Sequence, residues 1–498
     1  MYELPFGVNQ TLKVTASECV AQGEGHLLTG AHLSLILPFS PRRFYRHGWH
    51  SWSLTTWLDS SEPFVRPQPY IHAPQIDDPP ILLEPHWQSV GLIAVETPDG
   101  GVLLLGALNL EARLRLENHH LIADAPAADA RWFLAVGEET AVFAAYAAFL
   151  AKTFGARRSP SRPPRVWCSW YSLYENISEP VMLATLQGLA DTPYEIFQID
   201  DGWQQDVGDW QPNTKFPSGM AALAQAIRAA GRRPGLWLAP FIVKETAALY
   251  RQHPDWLLRD EQGQPVSAGH NWNVPVYALD TTHPEVQTWL EETIRTAHGW
   301  GYDYLKLDFL YAAALPGRRA ADVPREQALR DVLTLIRRVV GEETYLLLCG
   351  VPIYPALGIA DGIRIGADTA PYFDNVLVTA GMRNYITPGV QNAVRTSLNR
   401  LWLAPLVDLD PDVAFFRTRF SILQPDEMAW GQALAHICGF KATSDLPFWM
   451  GAEELAALRA FWQNWPEVSR LARWRYRVGE QEVDFSPLMP LPSWPVGD

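Results

Sequence analysis

A short apolar segment carries the residues best suited to chemistry. Residues 304–308 read Tyr-Leu-Lys-Leu-Asp, which is the pattern of a buried strand. Side chains at i and i+2 share one face of a strand, so Lys306 and Asp308 point the same way. A nearby ammonium favours the ionised carboxylate, which is the state that a nucleophile needs. Asp308 is therefore a candidate for covalent catalysis, and the alternative is a simple ion pair at a strand end.

A second carboxylate follows another apolar stretch. Asp368 comes two positions after residues 362–366, among Gly, Ala and Ile residues that favour a protonated acid. Cleavage of a glycosidic bond needs two carboxyl groups, one as the acid and the other as nucleophile or base. Asp308 and Asp368 end separate strands and could face each other across a pocket. Because contact with Arg364 would lower the pKa of Asp368, we expect Arg364 to point at the sugar or at Asp308 instead.

Further polar and aromatic side chains end other apolar runs. Asp200 and Asp201 follow the run Ile-Phe-Gln-Ile and precede Gly-Trp. At a strand end, such a pair can accept hydrogen bonds from two sugar hydroxyls, although in an ordinary protein it would be a solvated turn. The chain contains 21 tryptophans, whose flat faces suit a sugar ring. The remaining strand-end candidates are Trp170, Trp203, Trp237 and Cys349.

The elements that must position these residues alternate between strand and helix from residue 165 onward. This alternation predicts a (β/α)8 barrel over residues 165–440, with its active site at the C-terminal ends of the strands. An open doubly wound sheet is the alternative, but no G-x-G-x-x-G turn follows an early strand. The predicted strands are 166–170, 194–199, 233–239, 276–279, 304–307, 345–349, 362–366 and 404–409, and the predicted helices are 180–190, 220–230, 284–298, 325–340 and 390–402.

Two further units flank the predicted barrel. Residues 1–156 alternate short apolar runs with turns and show no long helical pattern, which favours an antiparallel β-sandwich. The proline-rich stretch 157–164 marks the boundary with the barrel. After helices predicted at 427–438 and 452–462, a short β segment ends the chain, and we expect residues 441–498 to pack on the barrel.

Composition excludes several classes of function. Of the 498 residues, 48% are hydrophobic and 19% charged, with a net charge of −15 that argues against a nucleic-acid partner. The sequence shows neither a signal peptide nor a membrane-spanning apolar run, so we expect a cytoplasmic protein with no membrane partner. Neither a C-x-x-C nor an H-x-H pair occurs, so we expect no metal and no cofactor. A homo-oligomer remains open.

Five motifs together resemble those of one enzyme family. The segments GWHSWS (48–53), FQIDDGW (197–203), GLWLAP (235–240), YLKLDF (304–309) and IRIGAD (363–368) are similar, in order and spacing, to the motifs of glycoside hydrolase family 36 in clan D. The resemblance implies a retaining exo-α-galactosidase without a cofactor. Its implied substrates are terminal α-galactosyl groups of small galactosides such as melibiose or raffinose.

The resemblance also implies a role for each candidate residue. Asp308 matches the family nucleophile and Asp368 the general acid/base. Asp200 and Asp201 would hold the 4- and 6-hydroxyls of galactose. The other implied contacts are Lys306 and Arg364 with ring hydroxyls, Cys349 near the 2-hydroxyl, Trp237 as pocket lining, and Trp170 and Trp203 as pocket walls.

Three departures from the family pattern bear on substrate choice. Asp308 lies between Leu307 and Phe309, whereas many members carry Trp before the aspartate and Asn-Arg after it. Ala239 replaces a glutamate, and His50 stands where glutamine is usual. These differences leave room for α-N-acetylgalactosaminidase activity or for galactosyl transfer like that of raffinose synthases. A non-catalytic sugar-binding barrel is the alternative from another class.

Overall fold

The computed structural model describes residues 1–6, 10–68, 70–160 and 162–492. Its N-terminal part contains two antiparallel sheets with a shared apolar core, formed by side chains such as Leu33, Leu35, Leu121 and Trp132. This confirms the predicted sandwich. In spatial order, one sheet contains Tyr2–Phe6, Gln10–Thr15, His32–Ile36, His120–Asp124, Arg113–Glu117 and Gln88–Val90, and the other contains Glu18–Gln22, Gly25–Thr29, Arg131–Gly137, Val102–Ala107, Leu92–Glu96, Arg43–Arg46 and Thr56–Asp59.

One long helix in this part was not predicted. Helix Glu139–Phe154 begins with Glu138, whose side chain accepts a hydrogen bond from the amide of Ala141. It buries Phe143 and Tyr146, and the hydroxyl of Tyr146 donates to the carbonyl of Ala107 at 2.7 Å. The helix is rich in alanine and apolar on most sides, so the sequence shows no clear amphipathic period. The expectation of strands alone up to residue 156 is therefore wrong.

Across the described residues, eight parallel strands form the predicted barrel. Each strand pairs with its neighbour, and an isolated parallel bridge between Val413 and Ala442 links the two edges. This confirms the (β/α)8 fold. Barrel strands 1 to 8 are Arg165–Cys168, Ile196–Ile199, Arg233–Leu238, Tyr304–Leu307, Tyr345–Leu348, Gly362–Arg364, Asp408–Asp410 and Lys441–Thr443.

The structure corrects one strand assignment and the end of the barrel. Strand Val274–Ala278 does not belong to the barrel; it pairs with Ile242–Lys244 and Ser267–Asn271 in a small sheet beyond barrel strand 3. The eighth barrel strand is Lys441–Thr443, which pairs with strand 1 beyond the predicted limit of residue 440. This strand has only three residues and one of them is a lysine, so its sequence lacks the apolar pattern that predicts a strand.

The helices around the barrel agree closely with the sequence periodicity. Helix Arg325–Val340, for example, has its predicted bounds and buries an apolar face that includes Leu329 and Ile336. Prolines occupy the first turn of several of these helices, where the missing N–H costs nothing. The helices are Glu179–Gly188, Gly219–Ala229, Pro284–Gly299, Arg325–Val340, Val390–Leu398, Pro425–Cys438 and Ala452–Gln463.

None of the helices in the described part of the chain is both long and apolar enough to cross a membrane.

Shorter elements form the connections between these strands and helices. The predicted C-terminal β segment forms an antiparallel sheet of Val468–Ala472, Arg475–Val478 and Gln481–Asp484. A hairpin pairs Gln204–Asp206 with Asp209–Pro212, and the short helical segments are Tyr70–His72, Ala73–Ile76, Pro79–Leu83, Trp170–Leu173, Ala248–Gln252, Pro254–Trp256, Leu310–Ala314, Ile353–Ala356, Leu377–Gly381, Leu401–Leu403, Pro447–Trp449 and Ser486–Leu488.

A buried arginine attaches a loop of the sandwich to the barrel. The Arg400 side chain has no exposed surface. Its guanidinium donates to the carbonyls of Ser51, His50 (2.8 Å) and Ser53 (3.1 Å) in the loop, and to the carbonyl of Ile365 (3.2 Å) in the barrel. Loop residues 48–53 thereby keep their backbone acceptors satisfied while they lie against the barrel mouth.

Replacement of Arg400 should therefore destabilise the protein. Arg400→Met leaves several buried carbonyls without donors, and we expect a loss on the order of 3 kcal/mol in the free energy of unfolding. Chemical denaturation followed by tryptophan fluorescence measures this loss. The matched control is Arg338→Met, because Arg338 is 73% exposed and a surface change of this kind shifts stability by less than about 0.5 kcal/mol. Equal stability of the two variants would contradict the role of Arg400.

Candidate functional site

The C-terminal ends of the barrel strands bring most of the predicted residues to one region. Asp200 and Asp201 follow strand 2, Lys306 and Asp308 belong to the end of strand 4, and Asp368 follows strand 6. Asp201 lines a smaller cavity of about 180 Å³, whereas Asp368 lines a larger one of about 530 Å³. The lining of the larger cavity includes Trp52, Trp170, Tyr171, Phe309, Asp368 and Tyr372.

Asp308 directly precedes Phe309, which lines the larger cavity, and is only 8% exposed. One carboxylate oxygen accepts a hydrogen bond from the indole of Trp237 at 3.0 Å, and the other accepts from the amide of Phe309 at 2.9 Å. Phe309 adopts a φ of 55°, in the left-handed region that is uncommon for a bulky residue. Backbone and side-chain donors therefore fix the orientation of Asp308.

The strand pattern suggested that Lys306 would bond to Asp308, but in the structure its hydrogen bond is with Asp200. Its ammonium lies 2.9 Å from a carboxylate oxygen of Asp200, which also accepts from the amide of Gln198 at 2.6 Å. Burial raises the pKa of Asp308, and the positive charge of Lys306 and the Trp237 hydrogen bond only partly oppose that rise. Lys306 does favour the ionised form of Asp308, as the sequence indicated, but burial has the larger effect on the pKa of Asp308.

Asp201 has a partner that sequence reasoning missed. Its carboxylate accepts from the indole of Trp272 at 2.7 Å and from the amide of Gln204 at 2.6 Å. Burial nevertheless raises the pKa of Asp201 to about 6. Trp272 and Asn273 have φ values of 51° and 60° and form the tight turn between Ser267–Asn271 and Val274–Ala278. The sequence does contain a signal for this turn, because Trp272 lies between two asparagines, a residue type that favours turns.

Arg364 binds three carboxylates at once. Its nitrogens lie 3.0 Å from an oxygen of Asp368, 2.9 Å from Asp410 and 2.9 Å from Asp412. The expectation that Arg364 would avoid Asp368 is therefore wrong. Asp410 is the last residue of strand 7, and Asp412 lies two residues beyond it. Their D-x-D spacing is visible in the sequence, but neither residue was predicted to belong to the site.

Asp368 nevertheless has a strongly raised pKa. Desolvation is the largest cause, and the negative charge of Asp412 adds to it, so the pKa rises to about 7 despite the opposing charge of Arg364. The side chain is 34% accessible from the cavity, but the surrounding protein still restricts its solvation. The site therefore pairs Asp368, whose pKa lies near neutrality, with Asp308, whose pKa is also raised by burial.

The predicted aromatic and thiol contacts differ in their exposure. Trp170 lines the cavity, whereas Trp203 has no exposed surface and donates its indole N–H to the carbonyl of Trp237 at 3.0 Å. Trp203 therefore supports Trp237 from behind and is not the pocket wall that the resemblance implied. Trp237 and Cys349 are 2% and 1% exposed, and both lie beside Asp308.

The sandwich domain also contributes to the cavity. Trp52 lines the cavity, and its ring packs edge-on against Phe309 with centroids 5.3 Å apart. Gly350 permits this approach, because a Cβ at that position would lie 3.0 Å from the Trp52 ring. His50, one of the departures from the family pattern, is fully buried and stacks on Tyr311 at 5.2 Å.

Several known proteins are similar to this chain in sequence or in structure. The sequence model of the Melibiase family matches residues 145–341. The structure of TtGalA, an α-galactosidase from Thermus thermophilus in complex with p-nitrophenyl α-D-galactopyranoside, is 46% identical, with a TM-score of 0.93 over 98% of this chain and 99% of that one. The complex of TtGalA with stachyose gives a TM-score of 0.88 over 92% of this chain and 98% of that one, at 46% identity.

More distant relatives share part of the chain. The α-galactosidase AgaA from Geobacillus stearothermophilus is 31% identical over 198 residues, which are 37% of this chain and 26% of that protein. The match thus spans about a quarter of that curated relative. The crystal structure of AgaA, described as a family 36 α-galactosidase, has the same fold, with a TM-score of 0.61 at 15% identity over 91% of this chain and 73% of that chain. Because the likeness to TtGalA covers nearly all of both chains, the present chain belongs to glycoside hydrolase family 36, the family of these α-galactosidases.

Proposed function

We propose that the protein is a retaining exo-α-galactosidase that hydrolyses terminal α-D-galactosyl groups of small galactosides. The observation that carries the proposal is the pair Asp308 and Asp368, two carboxyl groups at the same end of the barrel that lie close enough for the charge of Asp308 to raise the pKa of Asp368. Family membership supports it, since TtGalA, which covers the same length, has been solved with a nitrophenyl galactoside and with stachyose. This reaction needs no metal or cofactor from outside the chain.

The proposed reaction has two steps. Asp368 donates its proton to the glycosidic oxygen while a carboxylate oxygen of Asp308 attacks the anomeric carbon, so the C–O bond to the aglycone breaks and a galactosyl ester forms. Asp368, now ionised, takes a proton from water as the water oxygen attacks the same carbon. The ester bond to Asp308 breaks, and galactose leaves with the original anomeric configuration.

The deep burial of the polar side chains at the strand ends supports an exo mode of action. Asp200 and Lys306 are 2% and 4% exposed and form a hydrogen bond with each other at 2.9 Å. A terminal sugar has no further sugar unit attached beyond it, so it is the group that can place its hydroxyls against side chains this deeply buried. We assign recognition of the galactose hydroxyls to Asp200, Asp201, Lys306 and Cys349, with Trp237 and Trp170 beside the ring. Arg364 acts through Asp368, since its nitrogens are already bonded to carboxylates.

The nucleophile is tested by an isosteric change. Asp308→Asn keeps the shape of the side chain but removes the attacking charge, so we expect kcat for p-nitrophenyl α-galactoside to fall by roughly 10⁴-fold or more. Galactose binding, measured by calorimetry, should persist. The matched control is Asp331→Asn on the exposed face of helix Arg325–Val340, which should turn over like the wild type. Turnover near the wild-type rate by Asp308→Asn would exclude Asp308 as the nucleophile.

The acid is tested by the pH dependence of kcat/KM. Asp368 must be protonated to act, and its pKa is raised to about 7, so kcat/KM should fall as the pH rises through about 7. Asp308 must be ionised and its pKa is raised by burial, so the acid limb should lie above the usual aspartate range. Quenched assays with wild type and Asp368→Asn measure both limbs. A wild-type profile that stays flat well above pH 7, or an alkaline limb retained in Asp368→Asn, would contradict this assignment.

A further inference from the structure

Asp412 lies beside Asp368 and contacts both the arginine that binds Asp368 and the residue that follows it. Its side chain is buried, with 1% exposed. One oxygen accepts from Arg364 at 2.9 Å. The other accepts from the backbone amide of Thr369 at 2.8 Å and from the hydroxyl of Tyr171. Since Thr369 directly follows Asp368, Asp412 is bonded to the backbone beside the acid as well as to the guanidinium that touches it.

The backbone of Asp412 is held in an unfavourable conformation. Its φ is 79°, in the left-handed region that residues with a Cβ seldom adopt. Its amide donates to a carboxylate oxygen of Asp410 at 2.8 Å, which stabilises this turn. Strained residues of this kind persist where the surroundings determine the conformation strongly, and they cluster at functional sites. In this backbone conformation the Asp412 carboxylate points toward Arg364 and Thr369.

The shared guanidinium brings two carboxylates side by side. Asp368 contacts one terminal nitrogen of Arg364 and Asp412 contacts the other, at 3.0 Å and 2.9 Å. A planar guanidinium holds both terminal nitrogens on one rigid fork. Arg364 alone would hold Asp368 in its ionised form, so the second carboxylate is the group that offsets this effect.

We propose that Asp412 is a positioning residue that orients Asp368 toward the glycosidic oxygen and, through its negative charge, keeps the proton on Asp368. This inference rests on the proposed role of Asp368 as the acid. The surrounding charges support this role: among them, the negative charge of Asp412 raises the pKa of Asp368 the most. The charged and titratable groups that face Asp368 are Arg364, Asp412, Asp308, Lys306, Tyr171, Tyr174 and Tyr372.

The leaving group provides a second way to detect this role. A nitrophenolate departs with little help from an acid, whereas a sugar alkoxide needs the proton of Asp368. Loss of Asp412 should therefore reduce kcat/KM for raffinose more than for p-nitrophenyl α-galactoside. A purely structural residue would lower both values by the same factor.

The experiment compares Asp412→Asn with Asp410→Asn, since both changes are isosteric and both carboxylates bind Arg364. Removal of the Asp412 charge lowers the proton affinity of Asp368, so the alkaline limb of kcat/KM should move toward acid by about one pH unit or more. Asp410 contacts neither Thr369 nor Tyr171 in the described structure, and Asp410→Asn should move the limb less. Asp412→Glu, which keeps the charge, should retain the wild-type limb.

The outcomes separate this proposal from the proposed function. An unshifted alkaline limb in Asp412→Asn, or equal shifts in both asparagine variants, would overturn the role of Asp412. A wild-type profile that still falls through about pH 7 would leave Asp368 as the acid. If Asp412→Asn does not fold, Asp412→Ser serves instead, because serine removes the charge and adds no bulk to the buried site. A wild type that does not cleave either galactoside would overturn the proposed function itself.

Discussion

The barrel mouth depends on one electrostatic constraint: its buried carboxyl groups outnumber the cations placed among them. Lys306 is bonded to Asp200, and Arg364 is shared by Asp368, Asp410 and Asp412. Buried like charges cannot all remain ionised, because each one raises the cost of the next. Retention of protons within the cluster is therefore favoured: burial raises the pKa of Asp308 and of Asp412, and it raises the pKa of Asp368 to about 7.

The fold meets this constraint by dividing the cluster between strand ends. Strands 2 and 4 hold the Asp200–Lys306 pair, and strands 6 and 7 hold the group around Arg364. Asp308 lies between the two groups and is oriented by neutral donors, the Trp237 indole and the Phe309 amide. The sandwich loop held by Arg400 adds Trp52 to the cavity wall, so both domains restrict solvent around the carboxyl groups.

The sequence predicted those features that depend on local pattern. Helix Arg325–Val340 followed from its apolar period, and Asp308 followed from its place at the end of an apolar strand. Contacts between distant residues could not be predicted in this way. The pairing of Trp272 with Asp201 depends on the conformation of a turn 71 residues away, and strand Lys441–Thr443 is defined only by the neighbour with which it pairs. Lys306 shares a strand face with Asp308, but packing across strands selects Asp200 as its partner.

The retained proton on Asp368 is the central claim, and infrared spectroscopy observes it directly. A protonated carboxyl group absorbs at a carbonyl frequency that a carboxylate lacks. In the difference spectrum between wild type and Asp368→Asn near pH 6, we predict a protonated carboxyl band from the wild type, and this band should disappear as the pH rises through about 7. Absence of such a band at pH 6, or a band that does not change with pH, would show that Asp368 is not the group that holds the proton.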